Sequence, residues 1–202
     1  NSVKLWINSP SGSNFGYELS MNNDFLLVSA YSSNVAYIFA RNKATDTWST
    51  SPVWSTSGPS SYGFRLAMAN KHCIVSNGNS MARIYSLSAS GTWSTSPAAS
   101  LSGSGNFGYR VAITDNYAAV TSLNANRVYV YGKDPNSGAW STTPIQTMTG
   151  SNQFGYELSM TDNYLYVRQA SSSTAYVYRN YCGAGTWLEL STNTCKTCPI
   201  GK

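Results

Sequence analysis

The seven residues FGYELSM at 15–21 return letter for letter at 154–160, and between them stand YGFRLAM at 62–68 and FGYRVAI at 107–113. The four starting aromatics, Phe15, Tyr62, Phe107 and Phe154, are 47, 45 and 47 residues apart. Trp48, Trp93, Trp140 and Trp187 follow at spacings of 45, 47 and 47, the first three opening WSTSP or WSTTP. Val28, Val75, Val120 and Val167 follow at 47, 45 and 47. Three markers in one register define a repeat, and a period of this size indicates a propeller or a solenoid.

The third copy shows how a repeat divides into strands. AASLS (98–102) is a short segment after Pro97, and GSGN turns the chain. YRVAIT (109–114) alternates as a half-buried strand does. Asp115-Asn116 makes a tight turn, YAAVTS (117–122) returns, and RVYVYG (127–132) closes the unit. Asn and Asp suit such turns because they tolerate positive φ. Four antiparallel strands in about 46 residues is the size of a propeller blade. The expected fold is all-β and propeller-like, with four four-stranded antiparallel blades.

Composition agrees. Only 10% of the 202 residues are charged, but 42% are apolar and 13% aromatic, so a core is available. Val, Ile, Tyr, Trp and Thr lie between Gly, Asn and Ser clusters, a strand-and-turn pattern. The net charge is +5, yet the 13 basic residues are scattered and never adjacent. A nucleic-acid binder would gather them on one face. No apolar stretch approaches the roughly 20 residues of a membrane span. The chain starts at Asn1 and has no signal-peptide pattern, so a processed product or a fragment is expected.

These residues resemble the FG-GAP repeat: FGY-x-[LV]-[SA]-[MI], a polar turn, a strand with Val, then a strand reading [AR]-[YI]-[VI]-[YF]. That repeat builds the propeller of integrin α-chains and is common in surface and secreted proteins. The resemblance covers residues 5 to about 190. It implies a propeller, an extracellular setting, and a position near the propeller axis for the strand that carries the motif. Two departures limit it. The turns that hold calcium in integrin-type repeats read NND, ANK, TDN and TDN here, each with at most one carboxylate. A hard cation needs several converging oxygens, so neither a metal nor a cofactor is expected. The family ring is usually seven-bladed, while this chain supplies four repeats.

On that placement, Glu18, Arg65, Arg110 and Glu157 line the axis, and neighbouring blades pair Glu18 with Arg65 and Arg110 with Glu157. The repeat also explains residues that invite a catalytic reading. His72 occupies a slot held by Phe25, Tyr117 and Tyr164 in the other copies. Cys73 beside it reads as a buried thiol, and strand neighbours point to opposite faces, so the two form no dyad. Asp24, Asp115 and Asp162 lie in turns. There is no paired-carboxylate spacing, no G-x-S-x-G and no phosphate loop. An enzyme therefore has little to stand on.

The four repeated tryptophans read as packing between blades. Trp6 and Trp54 fall outside that register and are the candidates for exposed contacts. None of the 19 asparagines begins an N-x-[ST] sequon, which suits a surface kept free of N-glycans. Ser49, Thr50, Ser94, Thr95, Ser141, Thr142 and Thr143 are candidates for O-glycans.

The tail changes character. CKTCPIGK (195–202) resembles the opening of a small cysteine-rich module of the EGF or growth-factor-receptor type. The domain reading is thus repeats over 1–190 and the start of a cysteine-rich tail over 191–202. Cys182, Cys195 and Cys198 are disulfide candidates, since the only histidine is too distant for a zinc site. Cys182 with Cys195 is the favoured pair, leaving Cys198 to a partner beyond Lys202. A redox CxxC at 195–198 is the rival reading. The expected function is a non-catalytic extracellular or cell-surface structural or adhesive module. It would act through protein contacts, plausibly by self-assembly in a filament or matrix. The alternative is a propeller that binds glycans or another ligand.

Overall fold

The computed structural model describes residues 7, 10, 14–170, 174–179, 186–189 and 194–197. The protein is all-β and propeller-like. Blade 1 is built from β1 (Phe15–Met21), β2 (Phe25–Ala30) and β3 (Val35–Asn42). The two-residue β4 (Thr47–Trp48) and the longer β5 (Trp54–Ser57) both pair with β3. Blade 2 is β6 (Arg65–Met68), β7 (His72–Ser76), β8 (Met81–Ser86) and β9 (Ala99–Ser102). Blade 3 is β10 (Phe107–Ile113), β11 (Tyr117–Ser122), β12 (Arg127–Gly132) and β13 (Gln146–Thr149). Blade 4 shows β14 (Phe154–Met160), β15 (Tyr164–Gln169) and β16 (Ala175–Arg179). A last hairpin pairs β17 (Thr186–Glu189) with β18 (Thr194–Thr197), joining residues on both sides of position 190.

One expectation is corrected. The segment around 98–102 does not open the third blade. As β9 it pairs with β8, with Ile84 opposite Ala99 and Met81 opposite Ser102, and forms the outer strand of blade 2. The Trp-Ser-Thr linker folds back under β8, where Trp93 bridges to Leu87, so the next segment reaches the edge of the blade just completed.

The inner strands β1, β6, β10 and β14 lie side by side in that order. Their motif is a knob built by backbone conformation. The residue before the aromatic is left-handed in every copy: Asn14, Ser61, Asn106 and Gln153 have φ of 57°, 69°, 59° and 56°. The glycine after it also has positive φ, +84° at Gly16 and +87° at Gly108, which glycine adopts without steric cost. This bend drives the aromatic into the preceding blade. Tyr62, Phe107 and Phe154 are fully buried. Tyr62 packs in one cluster with Leu27, Ala36 and Ile38 of blade 1. Phe107 packs with Ile74, Ala82 and Ile84 of blade 2, and Phe154 with Ala119, Val128 and Val130 of blade 3.

The glycine is needed for a second reason. A Cβ at Gly108 would lie 2.8 Å from Cβ of Ser76 and 3.0 Å from the carbonyl oxygen of Met81. At Gly155 it would lie 2.5 Å from Cγ2 of Thr121. The Ser76 hydroxyl uses this proximity and donates to the Gly108 carbonyl at 2.6 Å. Turn residues add further ties. Asp115 does more than shape its hairpin: its carboxylate accepts from the Lys71 backbone N–H at 2.8 Å and from the Asn70 amide at 3.2 Å.

Gly108→Ala is expected to cost about 2–4 kcal/mol, since strain at positive φ adds to overpacking. Gly16→Ala has positive φ but no described atom within 4 Å, and is expected to cost about 1 kcal/mol. Urea denaturation of the two variants measures the difference.

Candidate functional site

Between the motif aromatic and the following strand the ladder is bulged. Phe15 pairs with Ala30 and Leu19 with Val28, so Gly16, Tyr17 and Glu18 stand opposite one residue, Ser29. The same shift occurs between Phe107 and Val111. The Glu18 N–H is held by the Ser29 hydroxyl at 3.1 Å. A bulge re-aims side chains, and here it brings two consecutive residues of each inner strand to a common belt.

The first set is aromatic. Tyr17, Phe64, Tyr109 and Tyr156 form a continuous row, with ring centroids 6.2, 6.0 and 5.8 Å apart and planes tilted by 34°, 52° and 38°. The second set is charged. Arg110 and Glu157 meet fork to fork, Nε to Oε2 at 3.0 Å and Nη2 to Oε1 at 2.9 Å. Arg65 and Glu18 meet more loosely, at 3.6 Å. The guanidiniums interleave with the rings: Arg65 lies 4.1 Å from the Phe64 centroid, Arg110 5.0 Å from Tyr109, and Arg168 5.6 Å from Tyr156. Such contacts contribute roughly 0.5–1 kcal/mol each where exposed.

The belt separates its two carboxylates. The Arg110 hydrogen bonds hold Glu157 below the usual glutamate range, while burial lifts Glu18 above it despite Arg65 and Arg110 nearby. Burial also raises the Tyr109 phenol, with Tyr156 adding to the effect. Chemically the belt is a stacking surface with fixed positive charges. It holds no activated nucleophile.

A Ser–His contact does exist elsewhere. His72 is buried, with Nδ1 2.8 Å from the Ser86 hydroxyl and Nε2 3.1 Å from the Lys133 ammonium. The Lys133 ammonium at Nε2 and the Trp140 indole N–H, 3.4 Å from Nδ1, both only donate, so each ring nitrogen faces a donor. Burial and then Lys133 hold the imidazole down at about 4. The ring meets Trp140 edge-on at 5.2 Å, as Phe25 meets Trp93 at 5.5 Å in the junction before. His72 thus fills an aromatic slot. Cys73 is buried in the opposite junction, with its thiol pushed upward by desolvation. Among the described residues, no cluster of three or more His, Cys, Asp or Glu fits a metal ion.

Of the two tryptophans expected to be exposed, Trp54 is corrected. It is buried, its indole N–H donates to the Ser94 carbonyl at 2.9 Å, and its ring packs on Tyr85 at 4.9 Å and Trp93 at 6.3 Å. The reason is the strand assignment. Because β5 completes blade 1, Trp54 sits opposite Ile38 and faces the junction with blade 2. Trp6 lies outside the described residues. Of the repeated tryptophans, Trp93 and Trp140 are buried and Trp48 is half-buried.

Cys182 and Cys198 lie outside the described residues, as does the expected Cys182–Cys195 pair; Cys195 sits in β18 opposite Leu188. In the linkers, Ser49 accepts from the Ala40 N–H at 3.0 Å, and Ser94 and Ser141 each donate to a carbonyl two residues on, at 2.6 Å. These hydroxyls hold turns. Thr50, Thr95, Thr142 and Thr143 are exposed. The aromatic row was missed from sequence, although the third letter of the motif is aromatic in all four copies. Arg168 was also missed, and its signal is that the other blades place Ser29, Ser76 or Thr121 there.

No protein-family model matches the chain. No curated protein matches it by sequence. Solved structures do match in fold. The computationally designed Ika4 protein aligns with TM-score 0.63 and 10% identity, over 88% of this chain and 99% of its own. A putative 6-phosphogluconolactonase from Bacteroides fragilis aligns with TM-score 0.61 and 14% identity, over 83% of this chain and 54% of its own. Prp20p from Saccharomyces cerevisiae aligns with TM-score 0.53 and 12% identity, over 86% of this chain and 47% of its own. The chain therefore spans about half the length of these two natural proteins. At such identities the likeness shows the propeller fold alone.

Two outcomes are expected. Between pH 6.5 and 4 the native state holds His72 neutral while the unfolded chain takes up a proton, so stability falls as pH is lowered through this window. His72→Tyr should flatten that fall, read as melting temperature against pH. A double-mutant cycle on Arg110 and Glu157 should give a coupling of about 1 kcal/mol, and the looser Glu18–Arg65 pair less.

Proposed function

We propose that this protein is a non-catalytic structural or adhesive module of a cell surface or extracellular matrix, and that it works through protein contacts. The repeats are of the FG-GAP type, and the tail begins a cysteine-rich module. The observation that carries the reading is where the large exposed apolar side chains lie. Leu19, Met21 and Val177 are exposed, whereas Leu66, Val111, Ile113, Ile38, Ile84 and Val130 at matching positions of other blades are buried. Surface of that kind at a repeat end serves a partner. Prp20p, a structure of similar fold, binds Gsp1p and histones, which supports propeller surfaces as protein-binding surfaces. The exposed threonines of the linkers are available to O-glycans. No described helix is long and apolar enough to cross a membrane.

The row Tyr17, Phe64, Tyr109 and Tyr156 favours a second reading, a glycan-binding propeller, because sugars stack on aromatic faces between polar groups. A glycan array distinguishes the two. The module reading expects no saturable binding. Saturable binding that is lost in Tyr109→Ala, with the fold kept, would transfer the function to the belt. On intact producing cells, a membrane-impermeant biotin reagent should label the protein; protection until lysis would remove the surface assignment.

A further inference from the structure

Each internal junction joins the same two half-surfaces, and one of each is left over. On the leading side, Leu66 of blade 2 and Val111 of blade 3 are 5% and 8% exposed, pressed on the blade before. Their counterpart Leu19 is 59% exposed, and Met21 beside it is 61% exposed. On the trailing side, Ile38, Ile84 and Val130 are fully buried beneath the next blade, while their counterpart Val177 is 68% exposed. The rest of the leading face of blade 1 is covered: Val28, Ala30, Tyr37 and Phe39 are buried with Phe15 and Ile7 packed against them. The free stripe therefore lies beside the axis.

Charge fits the same two ends. Around the belt the order is Glu18, Arg65, Arg110, Glu157. If the trailing end met another leading end, Glu157 would stand beside a second Glu18, and like charges there are unfavourable. Blade 4 alone puts an arginine, Arg168, in the slot filled by Ser29, Ser76 and Thr121. That guanidinium lies over Tyr156, close enough to Glu157 to stabilise its charged form. It supplies the cation such a junction needs, and the loose 3.6 Å contact to Arg65 leaves Glu18 free to accept it.

We propose that both end faces are occupied by a second copy of this chain, joined head to tail at two junctions into a closed eight-bladed ring. This names the partner of the surface read above as a contact site and rests on that reading. Leu19 and Met21 of each copy pack on Tyr166 and Val177 of the other, with Arg168 facing Glu18 across each junction. A head-to-tail contact closes when its rotation divides the circle, and four blades span about half the length of the two natural proteins described above.

Light scattering on the 202-residue chain tests this. The expected mass is twice 21.9 kDa. Val177→Glu and Leu19→Glu change exposed residues, so each should give a 21.9 kDa monomer with unchanged circular dichroism. Glu18→Arg and Arg168→Glu should each weaken the dimer by about tenfold, which corresponds to about 1.4 kcal/mol, and the double variant should recover it. A monomer at every concentration, particles that grow without limit, or a dimer indifferent to Val177→Glu would each overturn the ring. A monomer that stays silent on the glycan array removes the ring and keeps the surface module. Saturable glycan binding removes the module reading whatever the mass.

Discussion

The structure depends on one contact, the motif aromatic of each blade seated in the blade before it. The seat requires two positive-φ residues around the ring, and the second must be glycine because the neighbouring β-strand comes within contact distance of where a Cβ would be. Once Tyr62, Phe107 and Phe154 are seated, the inner strands are side by side, their bulges face a common axis, and the junction cores close around Ile38, Ile84 and Val130. Each blade is thus a half-finished surface that only a neighbour completes, the usual logic of repeat proteins.

That logic leaves two different kinds of place for function. Within the belt, Glu157 is committed to Arg110, and the arginines stack on the ring row. The ends are unsatisfied. Among the described residues no blade precedes Phe15, which packs on Tyr37 and Phe39 of its own blade, at 6.1 Å from each. The imidazole of His72, edge-on to Trp140, fills an aromatic slot between blades.

Much of this was legible because repeats let a sequence be compared with itself. The aromatic slot at His72 could be read from Phe25, Tyr117 and Tyr164, and the edge-on contact with Trp140 gives that slot its physical meaning. The pairing of Arg110 with Glu157 could be anticipated because they occupy one position in adjacent copies. Trp54 was misread for the opposite reason. It belongs to a strand that varies between copies, with Ala99 and Gln146 in its place, so no internal comparison revealed its burial. The segment at 98–102 was misplaced because local pattern identifies a strand and not the edge it joins.

The sequence by itself determined the all-β class, the blade period and the position of each motif aromatic, since these follow from local rules: glycine where φ is positive, aromatics where a core must be filled, alternation where a sheet has two faces. The tertiary structure decided which blade owns each outer strand, that the third motif aromatics form a row with the arginines, and that Leu19 and Val177 are bare where Leu66, Val111, Ile38, Ile84 and Val130 are buried. Those outcomes depend on which surfaces meet across the chain. A repeat gives every copy nearly the same letters, so the letters alone do not say which copies meet a neighbour on both sides.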